Sequence, residues 1–333
     1  MGTEATPDIE VAALYRDYAR RWFTGHSELY RQWAEGIAGS PGLQDLLSRL
    51  PGSKRQPNLV LAAARFHGCP DESFEVLETY LPAHWTEIRT IILTHATQTN
   101  EAARCATLLP ALGLVAAQEQ RPLALIEVGP SAGLCLLPDL YSYSYDGAAP
   151  LGDGSPLLRC STTGNPPLPR QLPQIAWRAG VDLNPLDGTD PDTVAWLRAL
   201  VWPGQEERLE RLDAALGTLA ALKSGALQAS AGPPLLLTGD LNERIADLVD
   251  AAPKHAVPVV MHSAVLAYLD QDQRSRFADT VTALGCRWIS NESFFMDAAN
   301  QTMAGNDDNY FTLALDRVPL ARTGQHGAEL HWL

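Results

Sequence analysis

The chain predicts an α/β fold: a mostly parallel sheet closed by an antiparallel hairpin, with an α-helical cap on its amino-terminal side. Three observations carry this. Over residues 8–118 the apolar residues recur at helical spacing and no alternating strand occurs before residue 122. From residue 123 short apolar runs alternate with helical stretches, as in strand–helix–strand crossovers. The final "NYFTLALDRVPLARTGQHGAELHWL" alternates with period two on both sides of a turn. The expected division is a cap over 1–119 and a sheet domain over 120–333.

In the cap, "IEVAALYRDYARRWF" carries apolar residues three and four apart, and "PGLQDLLSRL" opens on a proline with leucines along one face. "PNLVLAAARFHG" has a proline start at Pro57 and a glycine stop at Gly68. "WTEIRTIILTHATQTNEAARCATLLPALGLVAAQ" predicts one or two long helices, with Pro110 as the kink or break. In the sheet domain "LALIEV" is the first strand, and "YSYSYDGAAPLGDGSPLLRCSTTG" predicts a β-hairpin insertion over about 140–175. "QIAWRAGVDLNP" is the next strand. The helix "DPDTVAWLRALVWP" follows, with Trp196 and Trp202 expected to pack it on the sheet. "EERLERLDAALGTLAAL" sets Leu209, Leu212, Leu216 and Leu219 on one stripe. "PPLLLTGDL", "VPVVMHSAVLAYL" and "CRWISNES" give three more strands, with helices at 242–251 and 271–284.

Composition narrows the function classes. With 333 residues, 46% hydrophobic and 19% charged, the chain can bury a large core. A formal charge of −14 argues against nucleic acid, whose phosphates need clustered Lys and Arg. "MGTEATPDIE" lacks the apolar core of a signal peptide, and no run of about 18 apolar residues could span a bilayer. A cytoplasmic location and no membrane partner are therefore expected. The five cysteines are scattered without a C-x-x-C pair or a histidine at ligand spacing, so no metal site is expected.

The stretch "LALIEVGPSAGLCLL" (residues 123–137) reads as strand, tight turn, helix, and its glycines fit two machines. As the G-x-S-x-G elbow of a serine hydrolase, Gly129-Pro130-Ser131-Ala132-Gly133 would expose Ser131, with Asp240 and His326 as triad partners. Against this, the elbow follows the first strand and no HGGG-type loop completes an oxyanion hole. As a cofactor turn, it explains more of the chain. The strands end in Glu127, Asp182, Asp240, His262, and Asn291 with Glu292. Five polar strand ends are expected to ring one crevice at the carboxyl edge of the sheet.

Residues 120–333 resemble class I S-adenosylmethionine-dependent methyltransferases, with a Rossmann-like sheet, in "IEVGPSAG", Asp182, Asp240-Leu241 and "VVMHSAVLAYL". The resemblance implies that Glu127, Gly129, Ser131 and Gly133 meet the methionine part of the cofactor, with a helix N-terminus complementing its carboxylate. It implies that Asp182 bonds the ribose hydroxyls and that Asp240 and Leu241 bracket adenine. It also sets His262 at the active-site mouth and inserts the terminal strand pair into the sheet. Two departures stand out: the usual third glycine is replaced, and Glu127 lies much further from Asp182 than the usual twenty or so residues. "THATQTNEAARCATLLPAL", "EVGPSAGLCLLPDLYSYSYDG", "VDLNPLDGTDPDTVAWLRALVWPGQEERLERL", "HSAVLAYL" and "WISNES" are similar to a bacterial family, common in actinobacteria, known only as a domain of unknown function.

Other residues admit two roles each. Asn100, Glu101 and Arg104 interrupt an apolar helical stretch, either to bind substrate or as a buried structural network; the two readings weigh evenly. His262, Asn291 and Glu292 are the catalytic candidates. His262 would be a general base, against a slightly favoured role as a hydrogen-bonded histidine shaping the pocket. Tyr141, Tyr143 and Tyr145 share one face and are expected in the core, with a substrate wall at Tyr143 as the alternative. The expected activity is methyl transfer from S-adenosylmethionine to a small molecule held between cap and sheet. The alternatives are cofactor or nucleoside binding for a non-methylating or regulatory role, and the serine hydrolase. Sequence gives no oligomeric state.

Overall fold

The computed structural model describes residues 10–98, 100–293 and 310–333. It divides into two compact units, 1–99 with 191–210 and 100–190 with 211–333. This differs from the expected division at 119/120. The helix after residue 103 belongs with the sheet, and a later segment belongs with the helices.

The helical unit holds α1 (Val11–Tyr18), α2 (Glu28–Gly39), α3 (Pro41–Ser48), α4 (Pro57–His67), α5 (Phe74–Ala83) and α6 (Trp85–Thr94), joined by α8 (Pro191–Ala199). α4 starts at its proline and stops at Gly68 with φ +109, as its sequence predicts. Trp196 packs edge-on to Phe66 at 5.5 Å, and Trp202 edge-on to Phe23 at 5.0 Å. The two tryptophans therefore fill the core of the helical unit, which corrects their expected packing on the sheet. Arg65 secures the segment by donating to the carbonyls of Ala199 (2.9 Å) and Val201 (2.8 Å).

The second unit begins with α7 (Arg104–Glu119). The break from α6 falls in the polar stretch before Arg104, and Pro110 lies inside α7. A proline there leaves the carbonyl four residues back without its helical donor. That carbonyl, of Ala106, instead accepts the Tyr145 hydroxyl at 2.7 Å. The sheet strands are β1 (Leu123–Val128), β2 (Ser142–Tyr145), β3 (Leu157–Thr163), β4 (Ile175–Asp182), β5 (Leu235–Thr238), β6 (Val257–Ser263), β7 (Arg287–Glu292), β8 (Tyr310–Leu315), β9 (Val318–Gly324) and β10 (Glu329–Trp332). Their order is β2-β3-β10-β9-β8-β7-β6-β1-β4-β5. The helices α9 (Glu206–Ser224), α10 (Leu241–Ala251) and α11 (Gln271–Ala283) lie between the strands in sequence.

β5, β4, β1, β6 and β7 are mutually parallel, with β1 between β4 and β6, so the order reverses beside β1. Two expectations need correction. The stretch after Gly133 is not an α-helix but two 3-10 turns, Leu134–Leu136 and Pro138–Leu140. Pro138 bars helical continuation, and the buried guanidinium of Arg178 on β4 holds Leu136 O and the Asp139 carboxylate, each at 2.8 Å. The 140–175 segment is not a hairpin: β2 and β3 are parallel, because the link between them folds back to bridge Tyr143 with Leu151. The terminal antiparallel strands do lie inside the sheet, between β7 and β3. β8, β9 and β10 form an antiparallel meander that follows β7 in order.

The pleat sorts side chains by face. Ile126, Val128, Ala179, Val181, Val260 and Trp288 meet Ile245 and Leu248 of α10 and Phe277 and Val281 of α11. The alternate residues, Glu127 and Asp182 among them, face the side where α7 lies against β3, β7 and β8.

Candidate functional site

The carboxyl end of β1 runs into the turn Gly129–Gly133, where the strand order reverses. Gly129 sits at φ +68, and a Cβ there would stand 2.5 Å from Val265 Cγ2. The glycine is required both by its conformation and by the loop after β6 that presses on it. Ser131 adopts φ +52, a left-handed conformation that strains a residue with a Cβ.

Three of the turn's amides are committed within the protein. Gly129 N donates to Val181 O (2.9 Å), Gly133 N to Pro130 O (2.7 Å) and Ser131 N to Asp182 Oδ2 (2.9 Å). Asp182 Oδ1 accepts Asn184 N at 2.9 Å. Asn100 clamps the same turn, donating to Pro130 O (3.1 Å) and accepting Leu134 N (3.2 Å). A phosphate site uses free amides at a helix N-terminus. Here three of those amides are occupied and no α-helix follows the turn, which corrects the expected helix-terminus contact to a cofactor carboxylate.

The groups left over around the turn are side-chain oxygens, of a carboxyl and a hydroxyl. Glu127 is 6% exposed and its Oε2 has no hydrogen-bond partner; Ser131 Oγ, also buried, has none either. Burial pushes the Glu127 carboxyl well above the usual range; Cys135 and then Asp182 add to this, against the nearby Arg104. Arg104 donates to Gln325 O (2.9 Å) and Ser263 O (3.1 Å), with its guanidinium over the Phe311 ring. Glu101 Oε1 accepts Arg211 Nε at 3.1 Å and Ala103 N at 3.2 Å. Of their two readings, the buried network is the one that Asn100, Glu101 and Arg104 fit.

The expected ring of five polar strand ends is not assembled on one side. His262 and Glu292 lie on the α10–α11 face, opposite Glu127 and Asp182. Trp288 Nε1 donates to His262 Nε2 at 2.9 Å. Since an indole N–H only donates, Nε2 must be the lone-pair nitrogen and Nδ1 must carry the hydrogen given to Glu292 Oε1 at 2.7 Å. Glu292 Oε1 also accepts Val265 N (3.0 Å) and Leu266 N (3.2 Å). With both nitrogens occupied and 1% exposure, His262 is a positioning residue, which corrects its expected role as general base. Glu292 Oε1 is likewise spent on the loop after β6, while its Oε2 is buried without a partner.

Asn291 points to the other face and ties strands together, donating to Ser263 Oγ (3.1 Å) and accepting the Thr323 hydroxyl (2.7 Å). It is a structural residue rather than a catalytic one. Asp240 is the N-cap of α10, accepting Asn242 N at 2.7 Å, and Leu241 is partly buried against the core. With no base seated on Ser131 Oγ and Asp240 used as a cap, the hydrolase triad is not formed. Tyr143 is fully buried and donates to Pro138 O at 2.6 Å; like Tyr141 and Tyr145 it belongs to the core.

Two contributors escaped the sequence reading. Val265 roofs Gly129, and the buried thiols of Cys105 and Cys135 touch each other beside Glu127. Only the common origin of these contacts in three-dimensional packing links the residues, and no spacing reveals it. Among the described residues no group of three His, Cys, Asp or Glu could hold a metal, and no helix is long and apolar enough to cross a membrane. None of the curated proteins matches the chain. Residues 65–332 match the pattern of the DUF2332 family, described as "Uncharacterized protein conserved in bacteria", and the chain belongs to that family.

Proposed function

We propose that the turn 129–133 with Glu127 and Asp182 binds S-adenosylmethionine, and that the protein is a Rossmann-like, methyltransferase-type enzyme acting on a small-molecule acceptor. One observation carries the reading: side-chain oxygens at the site are left without partners while three amides of the turn are spent within the protein. Glu127 Oε2 and Ser131 Oγ are buried without partners, while the amides of Gly129, Ser131 and Gly133 are spent. Such a site suits a ligand rich in donors, with ribose hydroxyls and an ammonium, over one that presents phosphates. The strand-order reversal beside β1 supports it, since ligands of open α/β sheets bind outside the carboxyl ends at that point.

The residues fit the cofactor in these terms. Asp182 accepts Ser131 N on one oxygen and Asn184 N on the other and is the acid that would meet the ribose hydroxyls. Glu127 would meet the charged methionine end, with Ser131 able to donate or accept beside it. When bound, the cofactor supplies an activated methyl group on a sulfonium. The chain would orient that group, exclude water and align the acceptor, with alignment providing most of the acceleration. Glu127 is the group on this face that can hold or release a proton at the site.

A second reading is binding of the same cofactor, or a nucleoside, without methyl transfer. The sealing of His262 between Trp288 and Glu292 favours it, because that removes the obvious base. A thermal-shift panel separates ligand classes: S-adenosylmethionine and S-adenosylhomocysteine should stabilise the protein, and NAD should not. Stabilisation by NAD alone would overturn the acceptor-site argument. Release of S-adenosylhomocysteine with candidate small acceptors distinguishes the enzyme from the binder.

A further inference from the structure

We propose that Glu127 is a proton-exchanging subsite for a cationic group of the ligand: its carboxyl is neutral in the free protein and ionises when a positive centre is set against Oε2. This rests on the cofactor reading above and adds the charge state in which the ligand is taken.

The charged or titratable groups that face Glu127 include the buried Tyr141 hydroxyl, which donates to Leu134 O at 2.8 Å, and the Cys105 thiol. From α7 comes Arg104, whose Nε and Nη1 are spent on the carbonyls of Gln325 and Ser263. From the 3-10 segment comes the Cys135 thiol, which donates to Glu101 O at 3.4 Å and touches Cys105. From β4 comes Asp182, a second acid. On β6 the residue level with Glu127 is Met261, which is apolar. A buried carboxyl facing another acid, and without a cation bonded to it, keeps its proton. The unpartnered Oε2 is the atom to which a ligand can bring the missing charge.

Protons and charge balance. The neutral acid and the incoming cation become a carboxylate–cation pair, and one proton leaves to solvent. Affinity for the cation therefore rises with pH, about tenfold per unit while the free acid is protonated. A neutral donor at the same atom would leave the proton in place and show no such dependence.

Calorimetric titration of the full-length protein with S-adenosylmethionine in two buffers of different ionisation enthalpy reads the proton directly. Proton release, up to one per site, should accompany binding. Glu127→Gln, an isostere of the protonated acid, should still bind and release none. Identical heats in the two buffers, or undiminished release in Glu127→Gln, would overturn the proposal. Infrared difference spectra of the ligand-free proteins supply a second reading. The carbonyl band of a protonated carboxyl should be present in wild type and absent in Glu127→Gln; its absence from wild type would sink the proposal while leaving the cofactor reading intact. No heat from folded wild type would instead end the cofactor reading, and with it this ligand assignment.

Discussion

At the scale of single residues, Glu127 has a cost that pH exposes. Its folded-state carboxyl is raised by burial, so as pH climbs the unfolded chain ionises first and gains the advantage. Stability is intact below the ordinary carboxyl range near ~4.3 and falls as pH rises toward the raised value. Glu127→Gln should therefore match wild type near pH ~4 and exceed it increasingly above, as read by urea unfolding; parallel curves would contradict the assignment. Gly327 offers a backbone test. It sits at φ +76, and a Cβ would stand 2.2 Å from Ala103 O, so Gly327→Ala should cost more than about 1 kcal/mol. The polar strand ends were legible in the sequence because an acid or histidine closing an apolar run is conspicuous. Which face each one takes was not. Period two fixes alternation within a strand, but the relation between Glu127 and His262 depends on the pairing of β1 with β6, where Glu127 lies level with Met261 and Val128 with His262.

At the scale of elements, the loop after β6 hangs on one oxygen. Glu292 Oε1 takes His262 Nδ1, Val265 N and Leu266 N, and Val265 in turn covers Gly129. Glu292→Ala would bury three unpaired donors and should cost about 3 kcal/mol or more, with faster amide exchange through 264–268. Glu292→Gln, which keeps an oxygen acceptor, should cost less than half of that; equal losses would show that the oxygen is not what holds the loop. Helix boundaries set by proline and glycine, as in α4, were readable because the signal is local. The 3-10 turns after Gly133 were not, since their anchor is Arg178, more than forty residues on. The parallel sense of β2 and β3 was hidden too, because their direction is set by the link that folds back through Leu151.

At the scale of the molecule, the helical unit is completed by residues far along the chain. Trp196 and Trp202 bury against Phe66 and Phe23, so a chain shortened to residues 100–333 would expose both. It should be poorly soluble or bind hydrophobic dyes, and a soluble, cooperatively folding fragment would contradict that dependence. The α/β class was legible because alternation of short apolar runs with helices is a pattern of the whole chain. The course of the sheet beyond β10 was not, because β3 and β2, from the segment read as a hairpin, extend it there as parallel strands.

The central claim is that the turn after β1 and Asp182 hold an adenosyl ligand. Its most direct test is calorimetric titration of S-adenosylhomocysteine into wild type and Asp182→Asn, with folding of both confirmed by circular dichroism. Micromolar binding by wild type, weakened at least tenfold in Asp182→Asn, is expected (about 1.4 kcal/mol or more). No binding by folded wild type, or equal binding by both proteins, would contradict it.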